Sequence, residues 1–311
     1  MKKTAAIIPA KGIGDALLMM IASHQLLKKG YQVTTYHPSL AQLKSWFPEE
    51  HSFKDTYLLE ELSSFDLVIV ENDNSKRIQE LKRFFQKKPD TLSLFYPSYV
   101  PSKNGPLFHH DQTFLSSQPM ADNIAHAIGR LLNIQDVSKD NGLSVPNDLI
   151  HRFYKERVVL HPMSSDVRKN WPSGKFIKLA ELLKERGFEP VFAVSPEERE
   201  AWLHAEDKGI SVPLFESLST LAHFLYESSY VIGNDSVVGH LASNLQIPTL
   251  IISNNRERMK LWRPGWLPGK VLTPPEWVPN FKFLRLRERY WHIWITPKRV
   301  LKQFEKLTIN S

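Results

Sequence analysis

The stretch "YVIGNDSVVGHLASNLQIPTLIIS", residues 230–253, decides the fold class. An apolar run opens it, "NDS" breaks the run, "VGHLASNL" has helical spacing, and after Pro248 a second apolar run follows. Neither run alternates with polar residues, so both predict strands buried on both faces. A strand followed by a helix and another strand requires a crossover connection, which places the two strands in parallel.

Working outward, the same alternation recurs on both sides. "RVVLHP" and "EPVFAVS" read as strands, "GKFIKLAELLKERG" and "TLAHFLYESS" as helices, and "PEEREAWLHA" as a helix opened by proline and two acids. Upstream, "TAAIIPA", "YQVTTYH", "FDLVIV" and "TLSLFY" predict strands. Helices are expected over Ala16–Lys28, ended by Gly30, over Ser75–Gln86, and over "NIAHAIGRLLNI". Residues 97–118, rich in Pro, Ser and His, predict a long loop. The turn-rich "NGLSVPNDL" separates the two series, so the chain reads as two α/β domains, 1–150 and 151–311. Ligands of such sheets bind at the C-terminal strand ends.

Charge and composition narrow the partners. The net charge is +7, yet Arg256 to Lys302 alone carries twelve Lys or Arg against three acids, Glu257, Glu276 and Glu288. That run predicts a basic surface suited to anionic lipid or phosphorylated small molecules, with a solvated face as the plain alternative. No zinc-finger spacing or aromatic RNA-binding signature is present, which argues against nucleic acid. "MKKTAAII" imitates a secretory signal, but Pro9, Lys11, Gly12, Gly14 and Asp15 interrupt the apolar core such a signal needs. A cytoplasmic location is expected, and zero cysteines agree with it.

Four groups of chemically useful residues follow predicted strands. In "PAKGIGD", glycines allow close backbone approach, and Asp15 stands where a helix begins. An acid there caps the helix or works in a cleft beside it. In "HPMSSDVRKNWP", residues 161–172, Ser164 and Ser165 offer donors and Lys169 a positive charge, as a departing diphosphate requires. A capped turn with an exposed lysine has the same composition. In "SPEERE", Glu197 or Glu198 suits a ribose diol, although acids in a first turn need no ligand. In "GNDSVVGHLA", Asp235 and Ser236 lie on a strand-to-helix turn and His240 follows on the helix, where core histidines are also common. Two weaker features are "VENDN", with Glu71 and Asp73 as an acceptor-side polar loop, and "HHD" at 109–111, read as surface or acceptor-side.

The order and spacing of these blocks resemble glycosyltransferase family 9, the ADP-heptose:lipopolysaccharide heptosyltransferases and their relatives. The matching elements are "GD" after the first strand, the "HP-x-[ST]-S…K-x-WP" block, the acids after the next strand, and "NDS…H-L-A". The resemblance implies a GT-B fold, two Rossmann-like domains with parallel sheets facing across a cleft. Residues 1–150 would bind the acceptor and 151–311 the nucleotide sugar, with the last helix, about 297–308, packing back on the N-terminal domain. It implies an inverting transfer without metal or cofactor. Asp15 matches the family's catalytic base, Ser164, Ser165 and Lys169 its diphosphate contacts, Glu197 or Glu198 its ribose contact, and Asp235, Ser236 and His240 its donor-sugar segment.

The implied partners are a nucleoside-diphosphate sugar (ADP-heptose first), a lipid-linked saccharide acceptor of the lipopolysaccharide core, and the anionic cytoplasmic face of the inner membrane. The alternatives are a relative using another nucleotide sugar, or a non-catalytic protein that binds a sugar nucleotide or lipid-linked saccharide. Met163 and Val237 stand where the family usually has glycine, and predict a tighter donor pocket. Ile21 replaces a proline, and "LIISNNRERMKLWRPGW" replaces a Gly-Pro-Thr turn, bringing Arg256, Arg258 and Lys260.

Overall fold

The structure, a computed structural model, describes residues 2–278 and 286–309. Lys282 and Arg285 of the basic run lie outside the described residues. The chain forms two compact units, Met1–Pro146 and Asn147–Ser311.

The first unit is built on six strands, β1 (Thr4–Ile8), β2 (Gln32–Tyr36), β3 (Ser52–Lys54), β4 (Leu67–Glu71), β5 (Leu92–Tyr96) and β6 (Gln112–Thr113). Their order is β3-β2-β1-β4-β5-β6, and every pairing is parallel. Alternate residues of the central strands (Ala6 and Ile8, Val68 and Val70, Leu92 and Leu94) bury one face against Ile78, Leu81 and Phe85. The helix Ile13–Lys28 starts three residues before the expected Ala16 and buries an unbroken run from Ala16 to Ser23. A helix apolar on nearly all sides must be enclosed, and this one meets β1, β2 and the helix Met120–Leu132. The expected loop 97–118 contains the short helix Pro101–Asn104 and β6.

The second unit has five strands, β7 (Tyr154–His161), β8 (Glu189–Phe192), β9 (Ser228–Asn234), β10 (Thr249–Ile252) and β11 (Lys270–Leu272), ordered β11-β10-β9-β7-β8. These too pair in parallel. Strands β7 and β9 run so close that a Cβ at Gly233 would stand 2.7 Å from the His161 carbonyl oxygen, so only glycine fits there. The last helix, Pro297–Thr308, spends its apolar face inside this unit: Val300, Leu301, Phe304 and Leu307 are core residues, and Phe304 packs edge-on against Phe188 and Tyr230.

Each sheet reverses its strand order once, between β1 and β4 in the first unit and between β7 and β9 in the second. The C-terminal strand ends at such a reversal splay their connections apart and leave a crevice, the usual ligand site of open α/β sheets. Asp15 follows β1 and Glu71 ends β4, while Ser164 follows β7 and Asp235 follows β9.

Candidate active site

In the first unit, Asp15 lies in the first turn of the helix Ile13–Lys28, after the turn Pro9–Gly12. Its carboxylate folds back over Gly12: a Cβ at position 12 would lie 2.5 Å from Oδ2. Gly12 has an ordinary φ of −75°, so glycine is needed there for space and not for backbone conformation. Glu71, read from sequence as part of a polar loop, is a buried strand residue with 1% exposure, and its Oε2 accepts the Ala10 N–H at 3.0 Å. Burial, and then the neighbouring Asp15 charge, push the Glu71 carboxyl up to about 8. Asp73 is paired with Arg77 at 3.1 Å. The "HHD" stretch also has a structural role. Asp111 accepts the N–H groups of Leu94 and Phe108 at 2.8 and 2.9 Å, stapling the long loop to β5.

In the second unit, the loop after β7 and the turn after β9 meet. Lys169 Nζ stands 3.3 Å from Asp235 Oδ2, and Arg258 Nε from the helix Arg256–Trp262 stands 3.3 Å from the same oxygen. Two cations thus share one carboxylate, leaving a surplus positive charge at the strand ends. Asn234 makes this meeting possible: its Nδ2 donates to the Pro162 carbonyl, and its Oδ1 accepts the Trp171 N–H at 3.1 Å. It fixes both ends of the loop that carries Ser164 and Lys169. Sequence reasoning passed over Asn234 and named Arg258 only among the residues of a replaced turn, although each lies inside a quoted segment.

The other expected site residues divide. Ser164 Oγ is engaged within its own loop, its one proton shared between Asn170 Oδ1 and the Asp166 carbonyl oxygen at 2.8 and 2.9 Å, whereas Ser165 is exposed. Glu198 accepts the Ser195 N–H at 3.1 Å as part of a capping box, so it already has a structural task. Glu197 is exposed beside it. His240 is buried at 5% exposure, its Nδ1 has no hydrogen-bond partner, and burial pulls its pKa down despite Asp235 nearby. Ser236 Oγ is likewise buried and unpartnered at the start of the same helix, Val237–Asn244. Two unsatisfied polar atoms thus lie on the segment that follows Asp235, groups that a polar ligand would complete.

The glycine replacements also divide. Met163 is partly buried and packs on the core of the second unit. Val237 is partly exposed at the first position of its helix. Within the basic run, Arg256 pairs with Glu276 and Lys260 with Glu257, Arg258 holds Asp235, and Arg287 and Arg299 donate to backbone carbonyls. The run is therefore partly internal wiring, and less of a free basic face than its sequence suggests.

Comparison with known proteins agrees with this architecture. The family model described as glycosyltransferase family 9 (heptosyltransferase) matches residues 111–264. Among solved structures, the chain is similar to the E. coli ADP-heptose lps heptosyltransferase II, at 17% identity and a TM-score of 0.71, covering 100% of this chain and 99% of that one. The E. coli heptosyltransferase WaaC with ADP aligns at 14% identity and a TM-score of 0.67, covering 98% and 99%. A family 9 glycosyl transferase from Veillonella parvula DSM 2008 gives 16% and 0.67, covering 100% and 99%. No curated protein sequence matches the chain. At such low identities the structural likeness establishes the fold, which is GT-B. The family match spans the chemically equipped loop after β7 and the turn after β9, so residues 111–264 carry a region that matches glycosyltransferase family 9.

Proposed function

We propose that this protein is an inverting, metal-independent glycosyltransferase that moves a heptose-like sugar from an ADP-sugar to a lipid-linked saccharide of the lipopolysaccharide core. The observation that carries the donor half is the sharing of Asp235 by Lys169 and Arg258. A diphosphate entering there exchanges one carboxylate for several anionic oxygens, and the two cations stabilise charge growing on the leaving group. Fixed lysine and arginine charges thereby perform the neutralisation that metal ions perform in other transferases. Ser165 and the first amides of the helix Val237–Asn244 add donors, Glu197 takes the ribose diol, and Ser236 with His240 meets the donor sugar.

Asp15 acts as general base on the acceptor hydroxyl. Displacement with inversion needs that base opposite the leaving diphosphate, and a carboxylate at a strand end suits the task. The acceptor's lipid anchor implies work at the cytoplasmic face of the inner membrane. No helix among the described residues is long and apolar enough to cross a membrane, so docking would rest on surface residues such as Lys298, Lys302 and Trp277, the last 74% exposed.

Thermal-shift titration with ADP, UDP, GDP and CDP, followed by their sugars, tests the donor assignment. Binding raises the midpoint by an amount set by concentration over affinity, and ADP is expected to lead. A clear preference for another base refutes ADP as the donor nucleotide. Tight binding of ADP-sugars with no transfer to any core saccharide would instead identify a binding protein.

A further inference from the structure

The turn Pro9–Gly12 delivers Asp15, and three of its backbone groups are held by side chains from distant positions. Arg77 Nη1 donates to the Pro9 carbonyl at 3.2 Å. Glu71 Oε2 accepts the Ala10 N–H at 3.0 Å. His37 Nε2 donates to the Lys11 carbonyl at 3.1 Å, while its Nδ1 accepts the Ser39 N–H at 3.2 Å. One side chain serves each of three successive residues.

Glu71 is the odd choice among the three. A backbone N–H needs only a neutral acceptor, and Asn or Gln would serve without the cost of burying an ionisable group. Here a carboxyl is enclosed at the end of β4 beside a second carboxyl. The charged groups acting on it are Asp15 on the first helix, Asp73 in the following turn, and Arg77, whose charge is already shared with Asp73. Two neighbouring carboxylates, one of them enclosed, cannot both remain ionised cheaply, so one of them keeps a proton. The enclosed one is Glu71.

We propose that Glu71 is a positioning residue for Asp15, fixing the turn that carries it and, by holding a proton itself, leaving Asp15 as the anion of the pair. The proposal rests on Asp15 being the base. Glu71 touches no substrate and acts only through the turn and through charge. At neutral pH the pair carries one negative charge, on the acid that faces the chemistry. When Glu71 ionises, near pH 8, a second charge appears beside Asp15 and pushes the turn apart.

Glu71→Gln and Glu71→Leu test this against the wild type. Gln keeps an acceptor for the Ala10 N–H and cannot ionise, whereas Leu removes the acceptor. For transfer from ADP-sugar, Leu is expected to lower kcat about 10- to 100-fold with donor KM unchanged, the range for a displaced reacting group. Gln is expected to rescue most of that loss at pH 7, and to lack the fall in kcat that the wild type shows above pH 8. A Leu variant with full kcat, or a Gln variant with the wild-type alkaline fall, overturns the proposal.

A second arm needs no turnover. A glutamate whose folded pKa lies above its ordinary 4.5 contributes stability that is complete below that value and lost as the pH rises towards about 8. The wild-type urea midpoint, read by hydrogen exchange in β1, should therefore fall relative to Glu71→Gln between pH 5 and pH 8. Asp15→Asn should make the fall smaller. Parallel midpoints across that range overturn the proposal. A fall that Asp15→Asn reduces, in a protein with no transferase activity, instead upholds the coupled pair and refutes only the role of Asp15 as base.

Discussion

Acidification should destabilise the first unit, in large part through one histidine, His51. The ring is 2% exposed, with Phe47, Phe53 and His24 at centroid distances of 5.4, 6.2 and 5.7 Å. Its Nδ1 faces Ser23 Oγ at 3.3 Å, and that oxygen already accepts a bond from Thr35 Oγ1, so Ser23 is set to donate to a neutral ring. Burial, then the neighbouring His24, pull the His51 pKa from 6.5 down to about 4. Between those values the unfolded chain binds a proton that the folded chain refuses. Stability is therefore complete above pH 6.5 and is lost as the pH falls towards 4. The gap of 2.5 between the two values amounts to about 3 kcal/mol over the whole window, and about 2 kcal/mol between pH 7 and pH 5. That is a large share of a typical domain's ~5–15 kcal/mol. Urea titrations at the two pH values, read by hydrogen exchange in β1 and β2, measure the loss. His51→Gln costs packing at both, but its loss on going to pH 5 should be about 2 kcal/mol smaller than the wild type's. His24, also depressed by burial, accounts for part of the remaining slope. A Gln variant with the full wild-type pH dependence would refute the reasoning.

Other expected outcomes concern the proposed chemistry. Lys169→Ala should lower catalytic efficiency by about 2–4 kcal/mol of transition-state stabilisation, measured by steady-state transfer. Arg258→Ala should weaken ADP binding by about 1–3 kcal/mol in calorimetry, and its effect combined with Lys169→Ala should be non-additive, because both act on Asp235. Asp15→Asn should leave ADP affinity intact while turnover falls about 10²–10⁴-fold; full activity would remove Asp15 from the mechanism. Binding to anionic vesicles should weaken steeply with salt, and sedimentation that ignores salt would reject electrostatic docking.

The fold was legible wherever a strand is central. β1, β4, β5, β9, β10 and the C-terminal half of β7 are buried on both faces, and nothing but a covered parallel sheet accepts such runs. The misses are β3, β6 and β11, of two or three residues each, all at or beside a sheet edge. An edge strand has one paired neighbour and one exposed side, so "SFK", "QT" and "KVL" need no apolar pattern. The helix Arg256–Trp262 escaped notice for another reason: its Asn255 cap accepts the Arg258 N–H, a local signal masked by comparison with a family turn.

In the candidate site, residue types with their own chemistry were visible, and residues that hold them were not. Asp15, Lys169 and Asp235 stand out because charge at a strand end needs a reason. Asn234 and Glu71 contribute through partners many residues away, and no spacing rule links Asn234 to Trp171 or Glu71 to Ala10. In a parallel sheet every strand end is adjacent to the end of a strand distant in sequence, so positioning residues are non-local by construction. Glu71 shows the physical consequence. Stability alone would favour an amide or an apolar side chain in that corner, because a buried acid is costly whether it is ionised or keeps its proton beside another carboxylate. Its presence one hydrogen bond from the turn that carries Asp15 follows more directly from a demand on Asp15 than from any demand of the fold.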